Sequence, residues 1–327
     1  MKLKKLKVNK ILVISLSNIG DVVLTFPVID ILKNDFPDAE LSVVIGPKAK
    51  FLLEGNPSFK NVYIYNKHQS FLKTVFWIFE LRKEKFDLVV DLRNTVIPLL
   101  VSPKYRTKLR KTKDKGAHMK EKHLKRLRSV YSYEKLDIIN KYSFFVSRQD
   151  KDYIDQVIKK EVQGENAFAV VAPSAADSAK QWSEQGFAQV CDEVVRTKGL
   201  KIVLVGDEND RKIAQSVDKF MENESINLCG RINLAQLSEL LNRSTLAITN
   251  DSAPMHLASY LNKPVLSIFG PTNPLRYGPW GYKSVYVKRK DNCFVCNNAK
   301  LKEKHRCIES ILTSDVIDKL EELYKHI

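Results

Sequence analysis

No stretch of this sequence approaches the ~18 consecutive apolar residues of a membrane-spanning helix, although 44% of its 327 residues are hydrophobic. Ordinary buried cores are therefore affordable, and a helical membrane-spanning protein is not expected. Cysteine is scarce: five residues, an odd number in a long chain, argue for a reducing compartment and against a disulfide framework. No short internal repeat and no low-complexity tract occurs apart from one basic run. The opening imitates a secretory leader, and a first strand is expected there instead. MKLKKLKVNK followed by ILVISL has the right start, but Asn18 and Asp21 interrupt the apolar run and no small-residue cleavage site follows. A cytoplasmic protein is expected, its first strand preceded by a basic lead-in.

Acidic charge is scarce in one half. Residues 1–150 hold 30 Lys+Arg against 15 Asp+Glu, net +15, whereas residues 151–327 hold 24 against 23, net +1. The densest part is SPKYRTKLRKTKDKGAHMKEKHLKRLRS, residues 102–129, with twelve Lys/Arg against Asp114 and Glu121. Such a run suits an anionic partner, whether phosphorylated lipid, membrane surface or nucleic acid, and it also fits a solvated surface loop. Tyr105 is its one aromatic, too little for base stacking, so nucleic acid is not expected.

What is present is alternation. ILVISL (11–16), LSVVIG (41–46), NVYIYN (61–66) and FDLVVDL (86–92) read as strands, with helices near 22–34, 48–54 and 70–84. FLKTVFWIFELRK, within the last helix, is amphipathic enough to touch a membrane, and packing on a sheet explains it equally well. The pattern restarts with AFAVVAP (167–173), LKIVLVG (200–206), INLCG (226–230), TLAITN (245–250) and KPVLSIFG (263–270). Repeated strand–helix units predict an α/β protein with parallel sheets. Two domains are expected, 1–160 and 161–327, with a cleft between their strand ends and the last helix packing back on the first.

Two places carry chemistry. In KILVISLSNIGDVVLTFPVIDILK a buried strand stops on Ser17, Asn18 and Gly20, and helix-like spacing resumes after Asp21. That puts an Asp at the carboxyl edge of a parallel sheet, where α/β proteins bind ligands. In NDSAPMHLASYLNKPVLSIFGPTNP (250–274) Asp251 falls at a strand end and Ser252 to Pro254 turn the chain into a helix. The N–H groups of that helix start suit a phosphate, Ser252 can add a hydroxyl, and His256 lies one turn further. Upstream, Lys180 precedes Trp182 after a small-residue loop and can hold a diphosphate as a point charge. In VLVGDENDRKIAQ acidic residues follow a strand and can accept ribose hydroxyls. A surface Lys-x-Trp, an acidic helix start or a structural His is commonplace. Their order across three successive strand ends points to a nucleotide site.

SNIGDVVLTFPVIDILK, the K-x-W at 180–182 and NDSAPMHLA…KPVLSIFGPTNP together resemble the bacterial heptosyltransferase family, glycosyltransferase family 9, over nearly the whole chain. The resemblance implies a GT-B architecture of two Rossmann-like domains, the first binding the acceptor and the second a nucleotide-sugar. It implies inverting transfer of a heptose from ADP-heptose to the lipopolysaccharide inner core. The expected enzyme is metal-independent and without a cofactor, cytoplasmic and peripheral to the inner membrane. Asp21 matches the family's catalytic base; a helix-start Asp that satisfies backbone N–H groups is the alternative. Lys180 would hold the donor phosphates, with Asp251, Ser252, Ala253 and His256 lining the diphosphate and sugar pocket. Ile232 falls where the family packs an apolar side chain on the base, and Asp210 stands where many members have Glu. Ala253 replaces the commoner Gly, which keeps the N–H but restricts φ > 0. Ser17, Asn18, Lys108, Arg110, Lys111 and Lys113 are the expected acceptor contacts.

Rival readings are transfer of another nucleotide-activated sugar to a surface glycan, or a non-catalytic protein binding anionic lipid or RNA. Cys293, Cys296, His305 and Cys307 supply four candidate zinc ligands, but without the spacing of paired zinc knuckles they read as reduced thiols.

Overall fold

Ile11 to Ile14 are buried on both faces of a sheet, which is why they form a near-continuous apolar run. The computed structural model describes residues 7–109, 116–133, 141–163, 167–281, 283–289 and 307–327. The chain divides into two compact units, Met1–Phe145 and Val146–Ile327. The helix Arg148–Val157 goes with the second unit. Its Asp150 accepts from Asn233 Nδ2 at 3.2 Å, its Tyr153 hydroxyl donates to the Arg231 carbonyl, and its Asp155 pairs with Arg243.

In the first unit β1 (Lys10–Ile14), β2 (Glu40–Ile45), β3 (Asn61–Ile64), β4 (Leu88–Asp91) and β5 (Tyr105–Arg106) are all parallel, in the order β3-β2-β1-β4-β5. The order reverses between β1 and β4. The single helix expected near 22–34 is instead two, Ile19–Val23 and Phe26–Asp35. Pro27 is the cause: it has no N–H to continue the first helix, and its ring would meet the carbonyl one turn back. Thr25 fills the break, its hydroxyl donating to the Val22 carbonyl at 2.6 Å and lying 2.7 Å from Ser15 Oγ.

The basic run is not simply a solvated loop. It contains β5 and the helix Met119–Arg128, which buries His123, Leu124 and Leu127 and packs on the helix Phe26–Asp35. Arg110, Lys111 and Lys113 lie outside the described residues, as do Cys293, Cys296 and His305.

In the second unit β6 (Phe168–Ala172), β7 (Lys201–Leu204), β8 (Ser225–Asn227), β9 (Leu246–Asn250), β10 (Val265–Phe269) and β11 (Ser284–Lys288) form one parallel sheet, ordered β11-β10-β9-β6-β7-β8. β11 is an edge strand that the sequence pattern does not announce. The C-terminal helix Thr313–Tyr324 packs on β10, β11 and the helix Glu184–Lys198 through Val316, Leu320 and Leu323, so its packing assigns it to the second unit.

Candidate active site

All strands of the second sheet run the same way, so their carboxyl ends share one edge. Ligands bind such sheets where the strand order reverses, here between β6 and β9. The loop after β6 carries Lys180 and the turn after β9 carries Asp251. Lys180 Nζ lies 2.7 Å from Asp251 Oδ2; the Asp251 side chain is 4% exposed and that of Lys180 30%. Two motifs 71 positions apart thus meet at the crevice.

The surroundings hold them there. Asn250, fully buried, donates from Nδ2 to the Pro173 carbonyl at 2.7 Å and accepts from the Trp182 N–H at 3.1 Å. Trp182 is a core residue, its indole donating to the Ile311 carbonyl at 3.1 Å and its ring 5.3 Å from Phe187. The Trp of the K-x-W motif is therefore an anchor, and Lys180 is the part that reaches the crevice. Gly270 passes so close to the Ala179 carbonyl that a Cβ would lie 2.6 Å from it.

Ser252 precedes the helix Ala253–Tyr260 in extended backbone, and its hydroxyl donates to the Asn250 carbonyl at 3.3 Å without capping the helix. The N–H groups of Ala253 and Met255 point out of the helix start, Pro254 having none. Ala253 takes the first helical position and is not among the residues with positive φ, so glycine is not required there. His256 is buried, its ring 5.9 Å from that of Trp280.

Beside Lys180 lies a cavity of about 610 Å³ lined by Asp177, Arg276, Tyr277, Tyr286 and Lys288 among others. Sequence reasoning missed Arg276, although it follows the GPTNP turn by two residues. Its Nε is buried and finds no acceptor among the described residues. Arg276 and Lys288 face Asp177 across this cavity, and Lys180 is already paired with Asp251, so the lining carries an excess of positive charge.

After β7, Asp207 and Asp210 close a capping box. Asp207 Oδ1 accepts from the N–H groups of Asn209 and Asp210, and Asp210 Oδ2 accepts from the Asp207 N–H at 2.8 Å. One oxygen of Asp210 thus shapes its own turn. Cys229, at the end of β8, has its thiol pushed up to about 12 by burial and then by the carboxylates of Asp210 and Asp207, which rules it out as a neutral-pH nucleophile. Ile232 is half-buried in the next turn.

In the first unit the reversal between β1 and β4 puts the segment Ser17–Asp21, with Asp21 in the first turn of the helix Ile19–Val23, at the same sheet edge as the turn after Asp91. Asn18 Nδ2 donates to Asp21 Oδ2 at 3.0 Å, and the Asp21 carboxylate is partly open to solvent. Ser17 sits against Gly46, where a Cβ would lie 2.6 Å from the Ser17 Cα. Asp91, buried and not singled out from the sequence, accepts from the N–H groups of Arg93, Asn94 and Thr95. Arg126 donates to the Asp91 carbonyl at 2.7 Å and to Asn94 Oδ1 at 3.0 Å. Asp91, Arg106, Lys108 and Arg126 line a cavity of about 270 Å³.

The family model for glycosyltransferase family 9 (heptosyltransferase) matches residues 78–306. The chain belongs to this family. It is a glycosyltransferase. It is 25% identical over 296 residues to lipopolysaccharide heptosyltransferase 3 of Escherichia coli, covering 80% of this chain and 83% of that relative. Its fold is similar to that of a family 9 glycosyl transferase from Veillonella parvula (TM-score 0.82, 22% identity, 99% of each chain). It is also similar to E. coli heptosyltransferase WaaC solved with ADP (TM-score 0.69, 15% identity, 96% of this chain and 99% of that one). The architecture is GT-B, as the family resemblance implies.

Proposed function

We propose that this protein transfers a heptose from ADP-heptose to the inner core of lipopolysaccharide, at the cytoplasmic face of the inner membrane. The observation that carries the reading is the Lys180–Asp251 pair at the switch point of the second sheet, in a member of this family. The ADP in WaaC supports the nucleotide. The second unit is read as the donor domain and the first as the acceptor domain.

The chemistry is one displacement with inversion. Asp21 takes the proton of an acceptor hydroxyl while that oxygen forms a bond to the anomeric carbon and the bond to the diphosphate breaks. Asn18 holds one Asp21 oxygen and leaves the other for the proton. Ser17 and Lys108 contribute to the acceptor side, with Arg110, Lys111 and Lys113 on the same basic run. The negative charge gathering on the departing ADP is met by Lys180, by Arg276 and by the N–H groups of Ala253 and Met255. Asp251 aims Lys180, Ser252 and His256 flank the sugar, Ile232 packs on the adenine, and Asp210 takes ribose through the oxygen its turn leaves available. No step is assigned to a metal ion, because fixed cations and N–H groups already neutralise the diphosphate.

The test is product mass and ADP release with ADP-heptose and a heptose-free core acceptor, with and without EDTA. Heptose addition that persists in EDTA supports the reading. A strict Mg²⁺ or Mn²⁺ requirement overturns the metal-free route. Transfer from another nucleotide-sugar, with none from ADP-heptose, overturns the donor.

A further inference from the structure

The helix Phe71–Lys83 has one face accounted for and one that is not. Trp77, Ile78 and Leu81 pack into the core with Leu12, Ile14 and Val89. At 100° per residue, Leu72, Phe76 and Phe79 fall within a sector of about 60° on the opposite side. A helix on a water-soluble sheet carries polar residues there. Here Leu72 is 68% exposed, Phe76 69% and Phe79 55%, with Phe71 at the helix start 80% exposed. The neighbouring helix Ile97–Val101 packs beside this one, and Val96, Leu99 and Leu100 are exposed as well. Scattered apolar side chains on a surface need no explanation; six on two adjoining helices, with Val96 just before the second, do.

We propose that this face is where the protein lies on an anionic lipid bilayer, with the rings of Phe76 and Phe79 and the Leu72 side chain entering the boundary between headgroups and acyl chains. The charges select lipid over a neutral partner. Lys67, Lys73, Arg82 and Lys85 are exposed on or beside the helix, in addition to Lys83, which pairs with Glu80. The two nearby carboxylates are already paired, Glu80 with Lys83 at 2.7 Å and Glu84 with Lys10 at 3.7 Å. Apolar residues rimmed by Lys and Arg, on a half-chain of net charge +15, make the pattern of a helix lying in the membrane plane. Thirteen residues span about 20 Å, too short to cross a bilayer, and no helix among the described residues is long and apolar enough to do so. The inference deepens the reading of an enzyme working at the membrane face by naming the surface that meets it.

The experiment is flotation of the full chain with vesicles of phosphatidylcholine, alone or with phosphatidylglycerol added, for the wild type and for Leu72→Ser/Phe76→Ser/Phe79→Ser. The wild type should float with the anionic vesicles and scarcely with the neutral ones, and the triple variant should lose binding by about tenfold or more. A triple variant that floats like the wild type, or wild-type binding indifferent to phosphatidylglycerol, overturns the proposal. So does a wild-type dimer, measured without vesicles, that the variant turns into a monomer, because the face then covers a second copy. If the triple variant fails to fold, Phe76→Trp decides. Its added emission should shift to the blue and be quenched by brominated acyl chains on anionic vesicles, and an unchanged spectrum overturns the proposal. The vesicles contain neither acceptor nor nucleotide-sugar, so failure of docking leaves the transfer reading standing, and the reverse.

Discussion

Lys180 Nζ meets Asp251 Oδ2 at 2.7 Å across the point where the strand order of the second sheet reverses. On the proposed reading the pair ties substrate binding to stability, because the Asp251 carboxylate is almost fully buried and its cation is the more exposed partner. Lys180→Ala should therefore do two things. It should weaken ADP binding by calorimetry about 10- to 100-fold, the size of a lost charged hydrogen bond. It should also lower the melting temperature, since a buried carboxylate left without its partner is destabilising. Lys180→Met/Asp251→Asn removes both charges and should recover the stability without recovering the affinity. A double variant that binds ADP like the wild type would remove Lys180 from the donor site.

Asp21→Asn keeps the shape of the turn and the neighbouring Asn18, but it cannot take a proton. Turnover should fall ~10²–10⁴-fold, the usual loss with a general base, while ADP affinity stays unchanged. Wild-type kcat with the true acceptor would make Asp21 a structural residue of the turn.

The basic run belongs to the half carrying +15. Neutralising Lys108, Arg110, Lys111 and Lys113 together should raise the acceptor KM and flatten its dependence on ionic strength, because such attraction fades beyond a Debye length of about 10 Å at 0.1 M salt. The donor KM should not move. Both values at two salt concentrations, for wild type and quadruple variant, decide it; a rise confined to the donor KM would assign the run to the nucleotide.

His123 is buried on the helix Met119–Arg128, and neither ring nitrogen has a partner among the described residues. Burial, then the charges of Arg126, His118 and Lys122, lower its pKa from 6.5 to about 4. Between those values the unfolded chain binds a proton that the folded chain excludes, so stability is complete above pH 6.5 and falls as the pH drops toward 4. The full effect is about 3 kcal/mol. Urea unfolding at pH 7 and pH 4.5 should show this loss, and His123→Leu should remove it. An equal loss in the variant would place the titrating group elsewhere.

Much of the fold was legible because the central strands are buried on both faces and write themselves as uninterrupted apolar runs. β5 is two residues long and β11 buries only Val285 and Val287, too few positions to stand out from the surrounding sequence. The helix Met119–Arg128 was hidden by its own charge: Leu124 and Leu127 bury one side, and the Lys and Arg around them dominate the reading. Lys180 and Asp251 could each be picked out from local motifs. Their contact could not, since it depends on β6 and β9 becoming neighbours in the sheet. Asp91 falls inside the apolar run FDLVVDL, and its task in folding the next turn is visible only in three-dimensional hydrogen bonding. The helix Phe71–Lys83 left two readings open from its sequence, membrane contact and packing on a sheet; the second holds for Trp77, Ile78 and Leu81, and periodicity alone could not say what the far side meets.

Asn250 grips the loop after β6 at both ends, through the Pro173 carbonyl and the Trp182 N–H. The segment carrying Lys180 is thereby tied to the end of β9 at both ends. On the proposed reading of this crevice as the donor site, nucleotide entering it is expected to meet no slow closing step from this loop. The observed association rate should then rise in proportion to nucleotide concentration, without the plateau that a closing loop would impose, and the time needed to refill the site would be set by encounter and by shedding water from the diphosphate.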